Sequence, residues 1–171
     1  MSIVNNSLID IYRVPRRNYF MGKWIYHSGW YPNFRQPQLF RKGKMSYTSD
    51  EVHEGFISHS NKSIGTLKNF IWQFPFKNTE ELIDKANRYS TLGVLKLQKK
   101  GIKGSVLKAF FHGSWSFLKH YIFKFGFLDG GAGFIIAFGN FEGTFYRYIK
   151  LTEAQNNWLP PKVDPITKLI K

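Results

Sequence analysis

No cysteine occurs in the 171 residues. That excludes disulfides, thiolate nucleophiles and sulfur-held zinc or iron–sulfur clusters, and leaves any metal to His, Asp and Glu. Acidic residues are scarce as well, 11 against 25 Lys and Arg, for a net charge of +14. An imbalance of that size calls for an anionic partner: nucleic acid, a membrane surface or a phosphorylated ligand. No run approaches the roughly 20 uninterrupted apolar residues of a spanning helix, because lysines, His120 and Asp129 break up the apolar stretches. There is no Gly-x-x-x-x-Gly-Lys phosphate loop, no Gly-x-Ser-x-Gly elbow, no zinc-type histidine pair and no internal repeat. The first six residues carry neither a basic segment nor an apolar run of signal-peptide length, so no export signal is expected.

Aromatic residues are plentiful: 17 Phe, 9 Tyr and 5 Trp, within an apolar content of 43% that suits a folded domain, alone or with an appendage. Basic plus aromatic is shared by single-strand nucleic-acid binders and membrane-interface proteins, so the distribution along the chain decides. Up to Phe76 the pattern is one of strands and ordered loops. Leu8 to Val14 alternates and stops at Pro15, Gly22 marks a turn, and Lys44 to Phe74 is strand-like. Within it, Asp50, Glu51, His53 and Glu54 fall in five positions. Such a cluster is either a solvated acidic turn or a place where a proton is handled. Trp30, Tyr31 and Phe34 have faces suited to a sugar ring, and Arg16, Arg17, Arg35 and Arg41 suit phosphate or carboxylate, although each also reads as ordinary packing.

From Asn78 onward the period becomes helical. Asn78-Thr-Glu-Glu81 is an N-cap with a capping-box glutamate, Glu81–Lys85 and Asp84–Arg88 are favourable i,i+4 pairs, and Leu82, Ala86, Tyr89 and Leu92 mark an apolar face. This predicts a helix over 79–97. A second is expected over 105–125, with Leu107, Phe110, Phe111, Leu118, Tyr121 and Ile122 at helical spacing. After a turn at 127–133, a third is expected over 134–153, with Phe134, Phe138, Phe141, Phe145 and Tyr148 in phase. Between Asp84 and Asp129 there is no acidic residue but nine Lys and Arg. Either these helices lie on an anionic bilayer or they pack on the sheet with a solvated basic face. The aromatics fall on helical stripes rather than on a strand-borne stacking platform, so nucleic acid is not expected as a partner.

An ordered set of short motifs runs through the chain. It comprises Val14-Pro-Arg-Arg-Asn-Tyr-Phe-Met-Gly-Lys-Trp-Ile25, Gly29-Trp-Tyr-Pro32, Gln38-Leu-Phe-Arg-Lys-Gly43, Val52-His-Glu54, Asn87-Arg-Tyr-Ser90 and Gly126-Phe-Leu-Asp-Gly-Gly-Ala-Gly-Phe134. The set resembles the C-terminal part of bacterial family 2 glycosyltransferases, closest to the group of lipopolysaccharide core biosynthesis. The resemblance implies an α/β fold: the C-terminal part of a Rossmann-like, GT-A catalytic domain with a short mixed sheet, followed by about three amphipathic helices on the inner face of the cytoplasmic membrane. The expected division is an acceptor-side part over 1–76, a helical membrane-associating region over 77–153 and a flexible tail over 154–171.

The implied activity is inverting transfer of a sugar from a nucleotide-sugar donor to a lipid-linked glycan acceptor. Glu54 would take the acceptor proton, supported by His53, and a divalent cation, Mg or Mn, would stabilise the leaving diphosphate. By the same resemblance Arg16, Trp30, Arg35, Gln36, Gln38 and Arg41 serve acceptor and diphosphate binding. The family's Asp-x-Asp metal motif and its nucleotide-binding βαβ strands are missing from this chain. The isolated chain is therefore expected to be inactive and to bind no cation. Its donor-binding half would be truncated or encoded separately. The alternative is a non-catalytic membrane-surface protein, a relic of such an enzyme.

Overall fold

The structure, a computed structural model, describes residues 8–32, 36–48 and 55–156. Among these residues it is a mixed α/β protein, with eight short strands followed by three helices. Strand β1 (Ile11–Arg13) is separated from β2 (Arg16–Phe20) by Val14-Pro15, since proline has no N–H to offer the ladder. Met21 and Gly22, both at positive φ, then turn the chain into β3 (Lys23–Ile25). Such a two-residue loop matches the twist of an antiparallel hairpin. The remaining strands are β4 (Leu39–Phe40), β5 (Met45–Tyr47), β6 (Phe56–Ser58), β7 (Gly65–Thr66) and β8 (Ile71–Gln73).

Three small sheets result, in the orders β4-β1-β7, β3-β2-β8 and β5-β6. The first two are mixed: β1 and β2 pair antiparallel with β4 and β3, and parallel with β7 and β8. On the outer face of β2 the Arg17 guanidinium lies 3.5 Å from the Phe70 ring centre and 4.2 Å from that of Trp24. This is the cation–π geometry that lets arginine line an aromatic surface.

Helix α1 (Thr79–Lys99) starts as its capping box requires, with Asn78 Oδ1 accepting from Glu81 N and Glu81 Oε2 accepting from Lys77 N. Two details differ from expectation. Glu81 pairs with Lys77, and the Lys85 ammonium lies 4.9 Å from the centre of the Phe76 ring. The buried face is Leu82, Ser90, Gly93 and Val94, whereas Tyr89 is half exposed.

Helix α2 (Val106–Leu118) is capped by Ser105, and a π-helical turn at Lys119–Phe123 ends what the periodicity predicts as one helix to 125. Helix α3 (Gly130–Asn156) begins four residues before the expected Phe134. Gly130 keeps the positive φ of the junction, residues 131–133 are helical although glycine disfavours helix, and at Gly133 no side chain would fit against the Gly126 carbonyl. α3 also runs past 153 into the expected tail. Gln155 there donates to Ile102 O and accepts from Gly104 N, tying the helix end to the turn before α2.

Small residues let the helices meet. A Cβ on Gly139 would fall 2.6 Å from Leu82, and Gly143 faces Ala86, so the Gly-x-x-x-Gly of α3 is the seat of α1. Gly113 plays the same part for α2 against Phe141. One core cluster joins sheet and helices through Phe20, Ile25, Leu82, Ala132 and Ile136, and a second lies among the helices around Val94, Ala109, Tyr148 and Leu151.

Helix α2 is inside-out for a helix covered by water. Its buried residues are the small Ala109 and Gly113, while Leu107, Phe110, Phe111 and Trp115 are all more than half exposed. The surface continues through Ile122, Phe123, Phe125 and Leu128 past the bend. Contiguous apolar area on this scale marks an interaction surface rather than a solvated one.

Candidate functional site

The glycine-rich segment Gly126–Gly133 builds the joint between strands and helices. Gly126–Asp129 forms a single 3₁₀ turn, which delivers the Asp129 carboxylate, almost wholly buried, into the loop after β3. It accepts from Tyr26 N at 3.2 Å, His27 N at 3.1 Å and Ser28 Oγ at 2.8 Å, with His27 Nδ1 at 3.3 Å. Lys23 Nζ donates to the Asp129 carbonyl, and Ser28 N donates to Lys124 O. A buried carboxylate persists only where donors replace its water, and here the backbone N–H groups of Tyr26 and His27 and the Ser28 hydroxyl supply them.

That clamp fixes the next two residues, Gly29 and Trp30, on the wall of a cleft of about 380 Å³. Asn18 of β2 holds the loop from the other side, donating through Nδ2 to Trp30 O at 2.8 Å. Gln73 closes the strand side, and Phe76, Lys85, Tyr89 and Ser90 close the α1 side. Asn140, Thr144 and Arg147 of α3 complete it. Trp30 itself packs on Phe20 and Phe76, with ring centres 6.0 and 5.9 Å apart. The walls thus combine aromatic faces, carboxamides, hydroxyls and two cations. No described Asp or Glu lines the cleft.

The residues expected at a site separate into three groups. Trp30 lines the cleft, and Arg16 adjoins it through an Nη1 hydrogen bond to Gln73 Oε1 at 3.3 Å. Gln36, Gln38 and Arg41 belong to the approach to β4 and its far end. Gln38 N donates to Tyr12 O there, and Arg41 Nε lies 3.3 Å from the buried Asp10 carboxylate. Lys62 and Ser60 also bind Asp10, and the Ser60 hydrogen bond together with the Lys62 charge holds its carboxyl below the usual aspartate range. The proposed base Glu54, together with His53 and Arg35, lies outside the described residues.

Among the described residues no three His, Asp or Glu side chains converge as metal ligands would. Arg147, Asn140 and Lys85 escaped sequence reasoning because nothing in helical spacing separates a cleft-lining basic residue from a solvated one. Asp129 stood inside a recognised motif that read as a turn, and its role depends on partners about a hundred residues away.

Beside the joint, His120 donates through Nδ1 to Ser116 O at 2.8 Å, and Lys124 Nζ lies 3.4 Å from its Nε2. Burial, with Lys124 and Lys119 nearby, pushes the His120 pKa below its ordinary value of 6.5. The unfolded chain therefore binds this proton first. The contribution is fully present above pH 6.5 and is lost as pH falls toward the depressed folded pKa. Melting temperature is expected to fall as pH drops below 6.5, and the fall should be smaller in His120→Gln; equal pH profiles would remove His120 as its source.

Among the described residues no single helix is long and apolar enough to cross a membrane. One pair, Val106–Phe123 with Gly126–Asn156, reaches that length and composition only together and is bent by 71°. No family model matches the chain, and no solved structure matches it either.

Proposed function

We propose that this chain is the acceptor-side part of a membrane-surface glycosyltransferase of the family 2, GT-A type, working with a donor-binding half that carries the nucleotide-sugar and the divalent cation. The observation that supports this reading is convergence. Asn18, the pair Gly29-Trp30 and the pair Tyr89-Ser90 come from three separate motifs of the set described above, and they line one cleft. A fourth motif supplies Asp129, which clamps the loop leading to Gly29-Trp30. Motifs that served packing alone would have no reason to meet at a solvent-accessible concavity.

In this reading the cleft holds the acceptor glycan, a lipid-linked saccharide of the lipopolysaccharide core type. Trp30 and Tyr89 lie against its rings, and the carboxamides of Gln73 and Asn140 and the hydroxyl of Thr144 sort its hydroxyl groups. Glu54 takes the proton of the attacking hydroxyl. The apolar face of α2 and the bend beyond it seat the chain on the cytoplasmic leaflet, with Lys108 and Lys119 meeting anionic headgroups.

The exposed face of α2 equally suits the second reading, a non-catalytic membrane-surface protein. One pair of measurements separates the two. Sugar transfer to a lipid-linked acceptor is expected only when an Asp-x-Asp-bearing donor half is supplied. Glu54→Gln should then reduce the rate by about 10²-fold or more, as loss of a general base does. Flotation with vesicles containing anionic phospholipid is expected for both readings and should be lost in Phe111→Ser/Trp115→Ser. Flotation without transfer selects the non-catalytic reading, and neither outcome defeats both.

A further inference from the structure

Among the described residues the lining of the cleft is asymmetric in charge. Arg147 and Lys85 both line it, and no described carboxylate does. Arg147 makes no hydrogen bond or ion pair with any described residue, and its Nε, fully shielded from water, has no acceptor. An arginine that lines a cleft without a carboxylate partner among the described residues leaves its guanidinium for a ligand. Room for this side chain is made on purpose by the fold: Gly93 of α1 lies against it, and a Cβ there would fall 2.4 Å from Nε. Lys85, its ammonium 4.9 Å from the centre of Phe76 and 5.9 Å from that of Tyr89, sets a second positive charge beside aromatic faces.

We infer that the cleft takes an anionic saccharide, a sugar bearing a phosphate or a carboxylate. Arg147 grips the charged group in its fork, Lys85 adds a point charge, and the ring rests on Trp30 and Tyr89. This deepens the glycosyltransferase reading by naming the charge class of its acceptor, and it rests on the same cleft. A neutral sugar would leave Arg147 without its counter-charge. A bare anion would leave the aromatic walls uncovered.

The test is equilibrium titration of the full chain with glucose, glucose 6-phosphate, glucuronate and inorganic phosphate, followed by nuclear magnetic resonance at the Trp30 indole N–H. Both anionic sugars are expected to bind at least about tenfold more tightly than glucose or inorganic phosphate, and the tighter of the two identifies the charged group. Arg147→Gln should weaken the anionic sugars by about ten- to hundredfold and leave glucose unchanged, with Arg147→Lys in between. Gly93→Ala keeps the charge but displaces the side chain, and should mimic Arg147→Gln if that variant folds poorly. Equal binding of glucose and glucose 6-phosphate would overturn the inference. So would inorganic phosphate binding as tightly as the sugar phosphate, or unchanged affinity in both variants. Absence of sugar transfer with saturable anionic-sugar binding intact would defeat the transferase reading and leave this one standing.

Discussion

Gly133→Ala is expected to lower the melting temperature more than any other single methyl group added to this chain. An ideal Cβ at Gly133 falls 1.9 Å from the Gly126 carbonyl oxygen and 2.8 Å from its carbon, and it also meets the Asp129 side chain at 2.9 Å. The obstacle is backbone, so no rotamer change relieves it. The first turn of α3 must move away from the 3₁₀ turn, and Asp129 must move with it. Better helix propensity returns at most about 1 kcal/mol, against an overpacking cost of about 3 kcal/mol or more. In a chain of this size that corresponds to roughly 5–10 °C. Gly131→Ala is the control, since its Cβ would meet nothing within 4 Å and it should be neutral or slightly stabilising. Equal melting of Gly133→Ala and wild type would show that the turn and the helix do not touch as described.

Asp129→Ala comes second and attacks the same joint by chemistry rather than volume. It removes the acceptor for two backbone N–H groups and the Ser28 hydroxyl. Buried donors left dry cost about 1–3 kcal/mol each, so a loss of about 3–5 kcal/mol is expected, less where water enters. Asp129→Asn keeps an acceptor oxygen but loses the charge, and should fall between. Ser28→Ala removes one hydroxyl and should cost about 1 kcal/mol. Amide hydrogen exchange is the sharper reading: Tyr26 and His27 should be protected in the wild type and exchange quickly in Asp129→Ala. Unchanged protection would mean that the loop is held by something other than Asp129. Because this loop carries Gly29 and Trp30, both variants should also weaken ligand binding at the cleft, without touching a residue that lines it.

Local signals in the sequence located most elements. The Asn78 cap, the Pro15 break and the Gly22 turn are set by residues close in sequence, and each is seen where it was expected. What the sequence did not show depends on long-range geometry. Helical spacing marked Leu107, Phe110 and Phe111 as an apolar stripe and left open whether the sheet or a bilayer covers it. It is exposed because Ala109 and Gly113 permit a closer approach to α3 than bulky side chains would. Gly130–Gly133 read as a turn because glycine disfavours helix, yet residues 131–133 are helical, with Gly133 against the Gly126 carbonyl. Of the cleft, Trp30 was singled out in the sequence, and Asn18 and Tyr89 lie within its recognised motifs. Arg147 was not, since its significance lies in the acceptor it lacks.

The π turn at Lys119–Phe123 makes the chain sensitive to length at a place where its exposed side chains suggest tolerance. Each residue of an α-helix advances the side chains by about 100°, and a π turn is in effect one residue inserted into that count. A further residue inserted there, with no second wide turn to absorb it, rotates everything beyond it by that angle. The Lys124 carbonyl would leave Ser28, and Asp129 would face away from residues 26–28. Substitutions on the outer surface of this turn alter only the surface, whereas a one-codon change in length uncouples the helices from the strands. The distance between Leu118 and Asp129, counted in residues rather than ångströms, is therefore among the most tightly specified quantities in the chain.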